Sequence, residues 1–236
     1  MEVLVLGHKG MLGHMIVKYL LDNNIKVITT NVRWPENKDF LLNFNGDFII
    51  NCIGAIPQRT NNFDINWMLP IWLDLNAPCR IIHPGTDCEM DDDNYGISKR
   101  IAADYIKEHG KQTKSIKTSI IGPEYKTHAS LLEWFLNCKE LSVNGYSNAI
   151  WNGNTTLEWS KQCVAMMNNW KEYNKETIIS SKKVSKYELL LLIKTIFNKK
   201  IKVEAYPEGT DKSLKGEILT KNIEEQLKEL KGYYYE

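Results

Sequence analysis

The chain has 236 residues, 43% of them hydrophobic, and its 30 Lys and Arg residues nearly balance 29 Asp and Glu residues. This length suits one large domain, or one domain with a small appended lobe. A net charge near zero argues against a nucleic-acid-binding or polyanionic membrane surface, and no apolar run approaches the roughly 20 residues that cross a bilayer.

The chain start and the cysteines predict a reducing compartment. Residues 1–6 lead directly into an apolar run, without a basic segment or a small-residue cleavage site, so we expect a cytoplasmic location. The five cysteines have irregular spacings and form no Cys-x-x-Cys pair. We therefore expect free thiols, with no disulfide framework and no metal site.

Short apolar runs alternate with helical patterns in the first half of the chain. The expected strands are residues 3–6, 26–30, 48–52, 80–83 and 115–121, and the expected helices are residues 11–21, 65–75 (broken or kinked at Pro70) and 97–107. This alternation predicts an α/β fold, with a parallel sheet covered by helices on both faces.

The alternation weakens beyond residue 121. The residue pattern there predicts helices at 131–136, 185–197 and 222–230, and a strand at 200–205. We expect this part to form a small lobe attached to the sheet.

A glycine-rich turn joins the first strand to the first helix. Gly7, Gly10 and Gly13 follow a Gly-x-x-Gly-x-x-Gly spacing. The first glycine permits a sharp turn, the second lets a pyrophosphate approach the backbone, and the third lets the helix lie close to the sheet. Because the helix N-terminus presents unpaired N–H groups to an anion, the turn predicts a Rossmann-type, doubly wound dinucleotide-binding fold.

The end of the second strand bears on the choice of dinucleotide. An acidic residue there would hold the ribose 2′-hydroxyl of NAD, but residues 29–33 contain no carboxylate. Arg33 is instead suited to a 2′-phosphate. We therefore favour NADP(H), with NAD(H) as the alternative.

Tyr95 and Lys99 are four residues apart on an expected helix and so share one face. A lysine ammonium beside the phenol favours phenolate, so we expect a lowered pKa for Tyr95. Such a phenol can pass a proton to a carbonyl oxygen while hydride reaches the carbon. Thr86, just after the fourth strand, is placed to donate a second hydrogen bond, although an N-cap or turn role is the alternative.

These motifs together resemble the extended short-chain dehydrogenase/reductases, and most closely the dTDP-4-dehydrorhamnose reductase branch. The matching pieces run through about two-thirds of the chain in the family's order. They are residues 7–13, 51–55, Asn66, 86–88, 95–99, 118–124 and 151–156.

The resemblance implies a Thr86–Tyr95–Lys99 catalytic triad and NADP(H)-dependent reduction of a 4-keto group on a UDP- or dTDP-linked 6-deoxyhexose, with a homodimer possible. It implies substrate contacts from Asp87, Cys88 and Trp151. Together with the turn, it predicts these cofactor contacts: Gly7, Lys9, Gly10, Met11, Leu12, Gly13, Asn31, Arg33, Cys52, Ile53, Gly54, Ala55, Tyr95, Lys99 and Ile121. We expect residues 1–122 and about 148–172 to form the NAD(P)-binding domain, and about 123–147 and 173–236 the α+β substrate-binding lobe.

The chain departs from the family in one loop. Thr86 and Tyr95 are only nine residues apart, and family members carry a longer loop there that walls the sugar pocket. Two other functions stay open. Cys88 and His128 are candidates for epimerisation beside the ketone, and a non-catalytic regulatory subunit would keep the fold without the reaction.

Overall fold

The structure is a computed structural model that describes residues 1–125 and 127–236. Strands β1 to β13 are, in order, Glu2–Leu6, Lys26–Thr29, Phe48–Asn51, Arg80–Gly85, Thr113–Lys117, Ile120–Ile121, Ser142–Tyr146, Ile150–Trp151, Asn154–Thr155, Glu176–Ser180, Val184–Ser185, Lys202–Tyr206 and Ile218–Leu219. Helices α1 to α8 are Met11–Asp22, Lys38–Leu42, Ile65–Asn76, Asn94–His109, Leu131–Asn137, Thr156–Asn168, Lys186–Ile196 and Ile223–Tyr234.

A seven-stranded sheet has the order β13-β10-β5-β4-β3-β1-β2. Strand β1 pairs in parallel with both β2 and β3, and β3, β4 and β5 follow in parallel register. The expected α/β fold with a parallel, Rossmann-type sheet is therefore confirmed. The chain moves outward from β1 to β2 and then returns to β3, so the strand order reverses beside β1.

The centre of this sheet is apolar because its strands are covered on both faces. Residues 3–6 of β1 and residues 49–50 of β3 are fully buried. Leu69 and Leu73 of α3 pack in the same cluster as Leu4 and Ile49. This core fixes the carboxyl ends of β1 and β3 side by side, where such sheets bind ligands.

Two predicted elements differ in part from the structure. Helix α3 runs through Pro70 from Ile65 to Asn76, so it is not broken there, and the alternative of a kink stays a prediction. Proline removes one helical N–H, and the buried contacts of Leu69 and Leu73 offset that loss. The expected strand over residues 115–121 is divided, since β5 pairs with β4 whereas β6 pairs with β9.

The chain divides into two compact units. One comprises Met1–Lys117 and Ser160–Thr177, and the other Thr118–Trp159 and Ile178–Glu236. In the second unit, β7 and β12 form a parallel pair, and β8 pairs antiparallel with β11. The sequence patterns missed β7 to β11 and α6, since several of these strands have only two residues and are set by their tertiary partners. Within the described residues, no helix is both long and apolar enough to cross a membrane.

Candidate active site

The turn after β1 is shaped by glycines that admit no side chain. Gly7 has a φ of +73°, and a Cβ there would lie 2.7 Å from the carbonyl oxygen of Cys52. A Cβ on Gly13 would lie 2.2 Å from the carbonyl oxygen of Gly7. The turn therefore lies directly against the exit of β3, and the first helix starts in close contact with the turn.

The start of α1 is suited to an anion. Gly10 is the N-cap and has no side chain to bond the free N–H groups of the first turn. Residues 11–14 include no acidic side chain that would repel a phosphate. The predicted phosphate cradle of Gly7, Gly10, Gly13, Met11 and Leu12 therefore has the steric and electrostatic features that a pyrophosphate requires.

Lys9 extends this turn towards the end of β2. Its Nζ donates a hydrogen bond to Oδ1 of Asn31 at 2.6 Å. Asn31 and Arg33 are both exposed. The structure thus brings Lys9 and Asn31 into contact, in the strand-end region that also carries Arg33.

The loop after β3 is tied to α3 and α4 through one buried amide. Asn66 is fully buried, and its Oδ1 accepts a hydrogen bond from the N–H of Ala55 at 2.7 Å. Its Nδ2 donates to the carbonyl of Ala55 at 3.1 Å and to the hydroxyl of Ser98 at 3.0 Å. Asn66 therefore fixes the predicted cofactor loop of residues 52–55 relative to the helix that carries Tyr95 and Lys99.

Lys99 reaches this same loop. Its side chain is buried, and a Cβ on Gly54 would lie 3.2 Å from Lys99 Nζ. Burial lowers the pKa of Lys99, while Glu89 and Cys88 act in the opposite direction. Burial also lowers the pKa of His83 to about 3, and the charge of Lys99 adds to the shift. The imidazole of His83 is therefore neutral, 3.3 Å from Asn51 Nδ2.

The expected lowering of the Tyr95 pKa is wrong for the protein without ligands. Burial raises the pKa of the phenol well above its usual value, and nearby acidic groups, including Asp87 and Asp93, add to that shift. The ring of Tyr95 packs edge-on against Phe63, with the centroids 5.6 Å apart. The phenol is therefore held in its protonated form, as a proton donor must be.

Thr86 is an N-cap residue, which was the expected alternative to a role as a catalytic hydroxyl. It is the N-cap of a 3-10 helix over Asp87–Met90, and its hydroxyl accepts from the N–H of Cys88 at 3.3 Å. The same hydroxyl donates to Oδ1 of Asp87 at 3.0 Å. Cys88 Sγ also lies 3.8 Å from that oxygen. A substrate oxygen would have to replace Asp87 as the acceptor.

The short connection from Thr86 to Tyr95 is compact and well bonded. Asp93 is the N-cap of α4, accepting from the N–H of Gly96 at 2.6 Å. A Cβ on Gly96 would lie 2.5 Å from the carbonyl oxygens of both Cys88 and Asp91. Because Gly96 has no side chain, the 3-10 helix packs directly against α4. This close packing explains how so few residues connect β4 to α4.

The remaining predicted residues belong to the second unit. Ile121 is buried in β6, and Trp151 is 1% exposed. The ring of Trp151 lies so close to Gly153 that a Cβ there would be 2.4 Å away. These surroundings are typical of core packing, and the contacts of Ile121 with cofactor and of Trp151 with substrate stay predictions.

His128 of the second unit is exposed, and its Nδ1 lies 3.2 Å from Oε2 of the buried Glu133. Tyr235 donates to the other oxygen of Glu133 at 2.7 Å. The same His128 Nδ1 also lies 3.1 Å from Nδ2 of Asn137, so Glu133 and Asn137 together orient the imidazole.

Sequence reasoning missed Glu89, Ser98 and His83. Glu89 had a readable signal, because Thr-x-x-Glu is a capping-box pattern and the structure forms both of its hydrogen bonds. Ser98 and His83 gave no such signal, since their partners are distant in sequence.

No protein-family model and no curated protein sequence matches this chain. Solved structures do match. One is a dTDP-4-dehydrorhamnose reductase from Clostridium acetobutylicum, with a TM-score of 0.82 and 18% identity over 100% of both chains. Another is a dTDP-4-dehydrorhamnose reductase from Bacillus anthracis in complex with NADP, with a TM-score of 0.80, 12% identity and coverage of 97% of this chain and 98% of that one.

A third is a GDP-mannoheptose C4 reductase from Campylobacter jejuni with NADP bound, with a TM-score of 0.72, 13% identity and coverage of 100% and 98%. At such identities the likeness shows a shared fold. It agrees with the family that the sequence motifs resemble.

Proposed function

We propose that this protein is an NADPH-dependent reductase of the 4-keto group of a UDP- or dTDP-linked 6-deoxy-4-ketohexose. The observation that carries the proposal is the position of Lys99. Its ammonium lies against Gly54, in the loop that follows β3, and that loop in turn lies against the glycine turn after β1. Lys99 thus lies beside the point where the strand order reverses, which is where such sheets bind dinucleotides, and Tyr95 precedes it by one helical turn.

The first unit is proposed to bind the cofactor and the second to bind the nucleotide-sugar. Gly7, Gly10 and Gly13 leave room for the pyrophosphate, and the loop at 52–55 would line the dinucleotide. Lys99 would hold the nicotinamide ribose. Bound NADPH supplies a hydride for the carbonyl carbon of the substrate.

Proton supply falls to Tyr95. Its raised pKa keeps the phenol protonated at neutral pH, so it can deliver a proton to the ketone oxygen. The buried ammonium of Lys99, one helical turn away, favours the phenolate that remains. The Thr86 hydroxyl would donate to the same oxygen, with Asp87 and Cys88 as further proposed substrate contacts.

An assay with a panel of nucleotide-sugars tests the reaction. The protein is mixed with NADPH and UDP- or dTDP-linked 4-keto-6-deoxyhexoses, and NADPH absorbance is followed. We expect oxidation with at least one keto sugar and none with dTDP-glucose, which has no ketone. Absence of NADPH oxidation with every keto sugar would contradict the proposal.

The preference for NADP(H) over NAD(H) rests on Arg33 and on the absence of a carboxylate at residues 29–33. Arg33→Gln should weaken NADPH binding about tenfold, the scale of one charge-assisted hydrogen bond, and leave NADH binding unchanged. Lys26→Gln on β2 is a matched control, since Lys26 pairs with Glu2 at 3.2 Å. Equal loss of NADPH and NADH affinity in Arg33→Gln would remove the basis for NADP(H).

A second candidate is an epimerase that also reduces. It is favoured by His128, whose exposed imidazole is oriented by Glu133. In heavy water without NADPH, an epimerase using Cys88 or His128 would place deuterium on the carbons beside the ketone, whereas a simple reductase would not.

A further inference from the structure

Glu89 is a buried carboxylate that the proposed reaction does not use. It is 3% exposed, and its two oxygens contact different parts of the first unit. Oε1 accepts a hydrogen bond from the N–H of Thr86 at 2.8 Å. Oε2 lies 2.5 Å from Nζ of Lys117, at the end of β5.

The surroundings of Glu89 are built to admit these two contacts. Gly85 lies at the end of β4, and a Cβ there would be 3.1 Å from Oε1 of Glu89 and 2.9 Å from Cβ of Lys117. Burying an ionised carboxylate is costly unless it is paired and hydrogen-bonded, and both conditions are met. Even so, burial raises the pKa of Glu89, with Lys117 and the Thr86 N–H acting against that rise.

The consequence is geometric. Lys117 is fixed by its place on β5, which pairs with β4, so the Glu89 carboxylate is fixed in turn. Through the capping box it fixes the backbone of Thr86, whose hydroxyl holds the N–H of Cys88 and donates to Asp87. The positions of Thr86, Asp87 and Cys88, which are the proposed catalytic or substrate-contacting residues of this turn, thus depend on the Glu89 carboxylate.

We propose that Glu89, anchored by Lys117, is a positioning residue that holds the Thr86 hydroxyl and the short turn of residues 86–91 in the geometry needed for reduction. The proposal rests on the proposed reductase function. Glu89 itself contacts neither the reacting atoms nor the glycine turn, although its charge acts on the pKa of Lys99, so its effect should fall on turnover more than on cofactor binding.

Glu89→Gln is the primary test, because an amide cannot satisfy both partners. Its single oxygen serves either the Thr86 N–H or Lys117, and its NH2 group then faces the other donor. The double variant Glu89→Gln with Lys117→Gln removes that conflict, since the amide oxygen can face Thr86 while its NH2 donates to the new side chain. Glu176→Gln is the matched control, because Glu176 lies 3.6 Å from Lys117 Nζ but is not part of the capping box.

For Glu89→Gln we expect kcat to fall about tenfold or more, the scale of one unsatisfied buried donor. The dissociation constant for NADPH should change less than about twofold. The double variant should regain most of the lost kcat, and Glu176→Gln should keep the wild-type kcat. An unchanged kcat in folded Glu89→Gln, an equal loss in Glu176→Gln, or no recovery in the double variant would each overturn the proposal.

Amide hydrogen exchange gives a readout that needs no substrate. In Glu89→Gln the segment 86–91 should exchange about tenfold faster, and in Glu176→Gln it should match wild type. If wild type reduces no keto sugar, the proposed function fails while this measurement still decides whether Glu89 holds the turn. Equal exchange in both variants would overturn that role. Should Glu89→Gln not fold, Glu89→Asp answers the same question, since its shorter side chain cannot reach both partners.

Discussion

Two turns of the first unit bring the candidate site together, and they are held in opposite ways. The turn after β1 is fixed by missing side chains, since any Cβ on Gly7 or Gly13 would collide with backbone. The turn from Thr86 to Tyr95 is fixed by polar side chains, chiefly Glu89 paired with Lys117 and Asp93 capping α4. The first depends on sterics alone, whereas the second also needs hydrogen bonds and charges, in addition to the close packing at Gly96.

This difference has a functional meaning. A phosphate cradle must expose backbone N–H groups, and side chains there would only obstruct the ligand. A proton-transfer site must hold a hydroxyl and a phenol in fixed directions, which requires hydrogen bonds and charges. We therefore expect substitutions in the first turn to act on cofactor binding, and those in the second to act on turnover.

Gly13→Ala is expected to have the largest effect on the first turn. The new Cβ would lie 2.2 Å from the carbonyl oxygen of Gly7, so the helix or the turn must move. We expect a loss of about 1–3 kcal/mol in the free energy of unfolding, measured by denaturant titration, and NADPH binding weakened about a hundredfold.

Gly232→Ala on α8 is the matched control for a helical glycine. The nearest atom to its new Cβ is Oε2 of Glu236, at 3.8 Å. Alanine should leave NADPH binding unchanged and raise the free energy of unfolding by up to about 1 kcal/mol. If Gly13→Ala binds NADPH and unfolds like this control, then close backbone packing around Gly13 does not fix the first turn.

Asp74→Asn separates loss of fold from loss of turn geometry, because Asp74 belongs to neither turn. Its buried carboxylate accepts the N–H groups of Lys111, Gln112 and Thr113, at the start of β5. An amide leaves part of this set unpaired, so we expect about 1–3 kcal/mol of destabilisation by denaturant titration. Folded Asp74→Asn protein should keep its kcat and its NADPH affinity. A change in either quantity would contradict the separation of loss of fold from loss of turn geometry.

The same variant has a defined pH dependence. Burial alone would raise the pKa of Asp74, but the backbone hydrogen bonds led by Gln112 lower it below the usual 3.8. The stabilisation is therefore complete above pH 3.8 and is lost as the pH falls through the lower folded-state pKa. The stability difference between wild type and Asp74→Asn should be constant near neutral pH and shrink in acid.

Asp93→Ala is expected to have a smaller effect than Gly13→Ala or Asp74→Asn. It removes the N-cap of α4, at a cost of about 1 kcal/mol, and loosens the backbone that carries Tyr95. We expect a several-fold lower kcat with unchanged NADPH affinity. Asp92→Ala is the control, since the Asp92 side chain is 93% exposed and pairs at the surface with Arg100. A loss of NADPH affinity in Asp93→Ala would contradict the division between the two turns.

The sequence predicted the first turn far better than the second. Three glycines between a strand and a helix have a local steric meaning that needs no other part of the chain. The parallel sheet was likewise readable, because buried strands are continuous apolar runs. In the second turn the local patterns were the capping box of Thr86 with Glu89 and the N-cap of Asp93 with the N–H of Gly96.

The pairing of Glu89 with Lys117, the bond of Asn66 to Ser98 and the raised pKa of Tyr95 all depend on residues that folding brings together. The lowered pKa expected from Lys99 alone was wrong for this reason. Burial is the largest cause of the raised pKa of Tyr95, and burial depends on the folded surroundings of the phenol. Short strands of the second unit were missed similarly, since two-residue pairs carry no periodicity.

Tyr95→Phe tests the central claim most directly, because it removes one hydroxyl and keeps the ring that packs on Phe63. With a keto sugar that wild type reduces, we predict a loss of kcat of about a hundredfold to ten-thousandfold, with NADPH affinity within about twofold of wild type. Turnover retained in Tyr95→Phe, or NADPH binding by neither protein, would contradict the account.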